Sequence, residues 1–204
     1  MSYLMPRRPI ESVLFDTSFL LNDLPDVDKI IKILQKDRVS CYISHTIQSE
    51  IDDLYYVGRI SKQKYNKGLA RCRKARASLL DSDSNFLQGS MTRECTVSMT
   101  QEHGTAPRDV YNDCSILTSS LYNYIDLILS EDFHFTSKHT GKVVDSVIDM
   151  TCEMFDKLCG GDIILLNKDG FLAAYLNGQV NLEVVEAVKQ DVRKNSKVLK
   201  RGNK

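Results

Sequence analysis

The sequence predicts an α/β protein with a mainly parallel central sheet flanked by helices. Two observations predict it. Short apolar runs alternate with segments whose apolar residues recur at three- and four-residue spacing. Several runs also lead straight into an acid, as Val13-Leu14-Phe15 does into Asp16 and Leu127-Ile128-Leu129-Ser130 into Glu131-Asp132. In open α/β sheets, ligands collect at the carboxyl ends of the strands, where such acids would sit.

The elements follow in order. Residues 1–11, punctuated by Pro6 and Pro9, read as a loose start. Val13 to Asp16 reads as the first strand, buried because three apolar residues run together. Thr17 and Ser18 are expected to cap the helix behind it. Val27, Ile30, Ile31 and Leu34 make Asp26 to Lys36 an amphipathic helix. Val39 to Ser44 is the second strand, and Ser44 or Thr46 caps a helix through Ile47, Glu50, Ile51 and Leu54 that ends near Gly58. Residues 59–81 read as another helix, and Cys95 to Met99 as a further strand within a polar stretch. His103 to Pro107 reads as a loop. Asp109 to Tyr124 is helical, Ile125 to Ser130 is a strand, and Glu131 to Gly141 is a loop or short turn. Val143 through Leu158 forms an amphipathic helix stopped by Gly160-Gly161. Asp162 to Leu166 is a last short strand, Asn167 to Gly170 a turn, and Leu182, Val185 and Val188 mark a final helix. We expect one main domain over residues 1–159. Residues 160–204 would be an accessory strand and helix with a basic tail.

Composition narrows the function. The 204 residues carry 27 basic and 27 acidic side chains, so nucleic-acid binding has to be argued from local charge. The six cysteines include no Cys-x-x-Cys pair, which fits reduced, mostly buried thiols in a cytoplasmic protein and disfavours a zinc site. The first ten residues lack a signal-peptide core, and no apolar run approaches the ~20 residues of a membrane span. Neither a Gly-x-Ser-x-Gly turn nor a glycine-rich phosphate loop occurs.

Asp16, Glu50, Asp113 and Asp132 are the candidate catalytic and metal-binding acids. Hydrolysis of a phosphodiester needs a water deprotonated near neutral pH and stabilisation of charge on the phosphate; divalent cations do both. Mg²⁺ and Mn²⁺ take hard oxygen ligands. Carboxylates crowded without a cation would repel one another. Singly, each acid has an ordinary reading: Asp16 as a helix cap, Glu50 as a solvated helix residue, Asp113 and Asp109 as acids one turn apart on a helix face, Asp132 as a turn residue. The signal is the ordered set, each acid next to a strand end or helix start.

The segments Val13-Leu14-Phe15-Asp16-Thr17-Ser18, Ile43 through Glu50, Asn112 through Leu117 and Leu127 through Phe133 together resemble the PIN-domain (PilT N-terminal) ribonucleases, which include many toxin nucleases. The resemblance spans roughly residues 11–140. It implies a three-layer fold with a mainly parallel sheet, acids at its carboxyl edge, and Mg²⁺- or Mn²⁺-dependent cleavage of RNA. Position by position, it implies a metal site of Asp16, Glu50, Asp113 and Asp132, with Ser18 supporting the first acid. It also implies a homodimer and, for toxin members, an inhibitory antitoxin-like protein. The chain departs from the family in having His134 where many members carry a second aspartate, and in its longer segments 58–107 and beyond 140.

No acid occurs between Leu54 and Leu80, while Lys62, Lys67, Arg71, Arg73, Lys74 and Arg76 fall within that stretch. It reads either as a solvated helix face or as a track for RNA phosphates. His134 is a candidate contact for metal or phosphate, or an ordinary loop histidine; Asp109 is a possible supporting acid. The expected activity is a Mg²⁺- or Mn²⁺-dependent endoribonuclease. The alternatives are a PIN-like RNA-binding or scaffold protein that does not cut and, more weakly, a phosphatase on small substrates.

Overall fold

The structure is a computed structural model that describes residues 6–80, 86–104, 106–136, 138–155 and 163–188. The side chains of residues 103, 133, 134, 138, 139, 154 and 155 lie outside that description, as does the expected basic tail from Lys189.

The chain alternates as its periodicities require. β1 (Arg7–Pro9), β2 (Ser12–Phe15), α1 (Thr17–Leu20) and α2 (Asp26–Lys36) lead to β3 (Ser40–Ile43). Then come α3 (His45–Tyr56), α4 (Lys62–Ala75) and β4 (Ser78–Leu79). Two long helices, α5 (Phe86–His103) and α6 (Pro107–Tyr122), precede β5 (Leu127–Leu129). α7 (Phe133–Thr136), α8 (Lys138–Phe155), β6 (Ile164–Leu166), α9 (Lys168–Ala174), β7 (Tyr175–Leu176) and β8 (Gln179–Asn181) complete it, followed by helical residues 182–188.

Five strands form a parallel sheet in the order β4-β3-β2-β5-β6. β2 lies at its centre, with Val13 opposite both Cys41 and Leu127. Val13, Leu14, Phe15 and Leu127 to Leu129 are wholly buried without alternation, because helices cover both faces of the sheet. α2 packs on α4 and α9, while α5 packs on α6 and α8, giving two helical layers around the sheet. A small antiparallel sheet, β1-β8-β7, joins the amino-terminal strand to residues 175–181. β6, from the expected accessory segment, is an edge strand of the main sheet.

Five expectations are corrected. Cys95 to Met99 is helical: Met91, Cys95 and Met99 stack at four-residue spacing and are fully buried in α5. Against α6, Thr92 and Thr118 share a hydrogen bond of 2.8 Å and Gln88 donates to Ser119 at 2.7 Å. Glu131 to Gly141 is not a loop but holds α7 and the start of α8, and Asn167 to Gly170 begins α9 with Asn167 as its cap. The helix expected over 59–81 spans only α4, and its far end becomes the edge strand β4. At α1 the cap is Asp16 itself, with Thr17 and Ser18 inside the helix.

Four helices end alike. After α2, α3, α4 and α6, a residue with left-handed backbone lets the next N–H reach back five residues, to Leu34, Leu54, Cys72 and Ser120 at 2.9–3.0 Å. The left-handed residues are Arg38 (φ 59°), Gly58 (φ 73°), Arg76 (φ 54°) and Tyr124 (φ 54°). Of these four positions, only the one after α3 is glycine, the residue that adopts this conformation freely.

Candidate functional site

Asp16 is placed by the sheet. Its N–H donates to the Leu129 carbonyl at 3.0 Å, continuing the β2–β5 ladder one residue beyond the strand. The side chain is almost fully buried. Its Oδ2 accepts from Ser18 Oγ at 2.5 Å, from Ser130 Oγ at 2.8 Å and from the Ser18 N–H at 3.3 Å. Ser18 Oγ in turn accepts the Glu131 N–H at 2.9 Å, and Ser130 Oγ accepts the Asp132 N–H at 3.0 Å. The two serines therefore tie the turn after β2 to the turn after β5. Even with these donors, burial holds the Asp16 carboxyl above its ordinary range.

Glu50 comes from α3, whose start is fixed by Ser44 Oγ accepting the Ile47 N–H at 3.2 Å. Its Oε2 accepts from Thr17 Oγ1 at 2.6 Å. Desolvation pushes its acidity down, and the charges of Asp16 and Asp132 push the same way. Asp113 stands on α6 and is half-buried. Desolvation, then Asp132, Asp16 and Glu50, raise its pKa from 3.8 to about 8. Asp132, half-buried after β5, acts on both Glu50 and Asp113. Acids from four separate segments thus sit within electrostatic reach of one another at the carboxyl edge of the sheet.

The other expected residues divide. Ser18 is bonded to Asp16, as described. Asp109 does not join the cluster: its side chain is 57% exposed and pairs with Arg108 at 3.4 Å. The His134 side chain lies outside the described residues. Arg71, expected on an RNA-facing surface, is instead 2% exposed. Its guanidinium donates to the carbonyls of Leu20, Asn22 and Leu24 and pairs with Asp28 at 3.0 Å, so it clamps the segment between α1 and α2. Lys67 pairs with Asp23 at 3.5 Å and Lys74 with Asp28 at 3.2 Å. Lys62, Arg73 and Arg76 are exposed.

Thr17, Ser130 and Glu131 also hold the site; from the sequence Thr17 is expected only as a helix cap, and Ser130 and Glu131 carry no site role. Glu131 accepts the Lys168 N–H at 2.8 Å, which anchors the turn after β5 to the start of α9. The available signal was proximity in the chain: each lies within two residues of a candidate acid.

The donor set suits a hard divalent cation. All four side chains offer carboxylate oxygens, and the residual repulsion that raises Asp113 is what a cation would relieve. Among the described residues, no three His, Cys, Asp or Glu side chains are drawn tightly enough together to hold a metal ion unaided. Mg²⁺ is commonly held by one or two carboxylates with waters completing its shell, so the set fits without a full protein cage. None of the helices among the described residues is long and apolar enough to cross a membrane. The chain matches no family model, no curated protein and no solved structure.

Proposed function

We propose that this protein is a Mg²⁺- or Mn²⁺-dependent endoribonuclease of PIN type. The observation that carries the proposal is the mutual electrostatic coupling of Asp16, Glu50, Asp113 and Asp132 at one sheet edge. These residues would hold the cation, which when bound supplies an activated water and neutralises charge on the phosphodiester. The protein's own contribution is orientation. Ser18 and Ser130 fix the Asp16 carboxylate by its Oδ2, and Thr17 fixes Glu50. Asp113 carries a proton at neutral pH while its neighbours are uncompensated, and gives it up when a cation offsets their charge. Lys62 and Arg73 remain available to meet RNA phosphates beside α4.

The test is incubation of the purified chain with a pool of cellular RNAs and Mn²⁺, with mapping of the cleaved ends. Cleavage is expected in the native chain and lost in Asp16→Asn, with circular dichroism unchanged. Undiminished cutting by a folded Asp16→Asn chain would overturn the mechanism. RNA binding without cutting in the native chain would favour the scaffold reading.

A further inference from the structure

The opposite edge of the sheet carries an arrangement that the acids do not use. At the amino ends of β3 and β4, a polar hollow of about 560 Å³ is lined by Arg38, Ser40, Tyr42, Arg76 and Ser78 among others. Ser40 and Tyr42 also line a second hollow of about 480 Å³, which contains Tyr124. The two form one surface, with arginines at one end and Tyr124 at the other.

The three left-handed helix ends that lack glycine supply this surface: Arg38 after α2, Arg76 after α4 and Tyr124 after α6. The sequence places large functional side chains where backbone geometry favours glycine, and all three open on adjoining hollows. The guanidinium groups of Arg38 and Arg76 enter no ion pair or hydrogen bond among the described residues. Their backbones are held in place, because the Gln35 side chain donates to the Lys74 carbonyl and ties the end of α2 to the end of α4. The helix ends turn their partial negative charge toward this edge, about half a unit each, which two full positive charges outweigh. Glu11 and Asp126 line the tyrosine end, so an anion is repelled there and drawn to the arginines.

The geometry points to a nucleotide-binding site on the amino edge of the sheet, with phosphate on Arg38 and Arg76 and the base against Tyr42 and Tyr124. Arginine pairs recognise phosphate oxygens by paired N–H donors, and tyrosine faces stack on bases. A free nucleotide and a nucleotide unit of single-stranded RNA present the same chemistry. The inference stands apart from the nuclease reading, because it concerns other residues and is measured by binding.

The test uses the full chain carrying Asp16→Asn, so that no probe is cut. Calorimetric titrations at low salt would use ADP, inorganic pyrophosphate, uridine and a short single-stranded oligoribonucleotide. ADP or the oligonucleotide should bind, uridine should not, and Arg38→Gly with Arg76→Gly should weaken binding at least tenfold. Glycine suits both backbone positions, so this double variant should unfold no earlier than its parent. Arg38→Lys with Arg76→Lys should keep part of the affinity. ADP binding identifies a free-nucleotide site, and oligonucleotide binding without ADP binding identifies a strand site. Absence of binding by every phosphate probe would overturn the inference, as would affinity unchanged by the glycine pair.

Discussion

Asp113 gives the sharpest test of the acidic cluster. Its carboxyl ionises at 3.8 in an unconstrained chain and at about 8 in the folded one. Below pH ~4 both states are protonated, and the residue contributes nothing to the pH dependence. As pH rises, the unfolded chain releases this proton first, so stability falls until the folded carboxyl also ionises near pH 8. The slope is about 1.4 kcal/mol per pH unit, which gives about 4 kcal/mol by pH 7 as an upper bound. Half-burial admits screening, and about 2 kcal/mol is a better expectation. Asp113→Asn keeps the shape and cannot ionise. In EDTA, its urea unfolding should match the native chain at pH 3, below the unfolded carboxyl's 3.8, and show about 2 kcal/mol more stability at pH 7.5. On the proposed function, adding Mn²⁺ should shrink or reverse that gap, because the native chain would gain a ligand that the variant would hold less well. A gap of the same size at both pH values would refute the reasoning, since a packing change does not titrate.

Other perturbations follow from the same bonds. Ser18→Ala removes the shortest of the donors to Asp16 and the acceptor of the Glu131 N–H, so on the proposed function Mn²⁺-dependent cleavage should fall by about 10-fold, and urea unfolding should show a loss of about 1 kcal/mol. Arg71→Met should cost about 3 kcal/mol, read by urea unfolding, because three carbonyls and Asp28 lose a buried partner. Asp126→Ala should cost about 2 kcal/mol in the same assay. Its Oδ2 accepts the N–H groups of Glu11 and Ser12 and the Ser12 hydroxyl, all at 2.9–3.0 Å.

What the sequence discloses depends on how local the determining physics is. Val13-Leu14-Phe15 reads as a buried strand because three consecutive apolar residues need cover on both faces, and the central strand is found there. Asp26 to Lys36 reads correctly because its stripe repeats over three turns. Cys95 to Met99 misleads because Cys, Thr and Val favour strands over a short window. The four-residue spacing of Met91, Cys95 and Met99, which decides the matter, needs a longer one. β1 and β8 are illegible alone: each has three residues, and only their pairing makes them strands. At the site, the order of the acids is local, but their coupling depends on register between β2, β3 and β5. The charge of Arg71 is plain in the sequence; its burial depends on the carbonyls of a distant segment folding around it.

The turn that carries Asp132 is held from outside its own neighbourhood. The Ser130 N–H reaches the Leu166 carbonyl at 3.0 Å, and Glu131 takes the Lys168 N–H. Ser18 and Ser130 tie this turn to the one after β2, but a growing polypeptide cannot complete its anchoring until residue 168 has cleared the ribosome, long after Asp16, Glu50 and Asp113 have emerged. On the proposed function, a chain emerged only as far as Asp132 would be harmless to the message still being translated, and cutting ability would arrive only once residue 168 has followed.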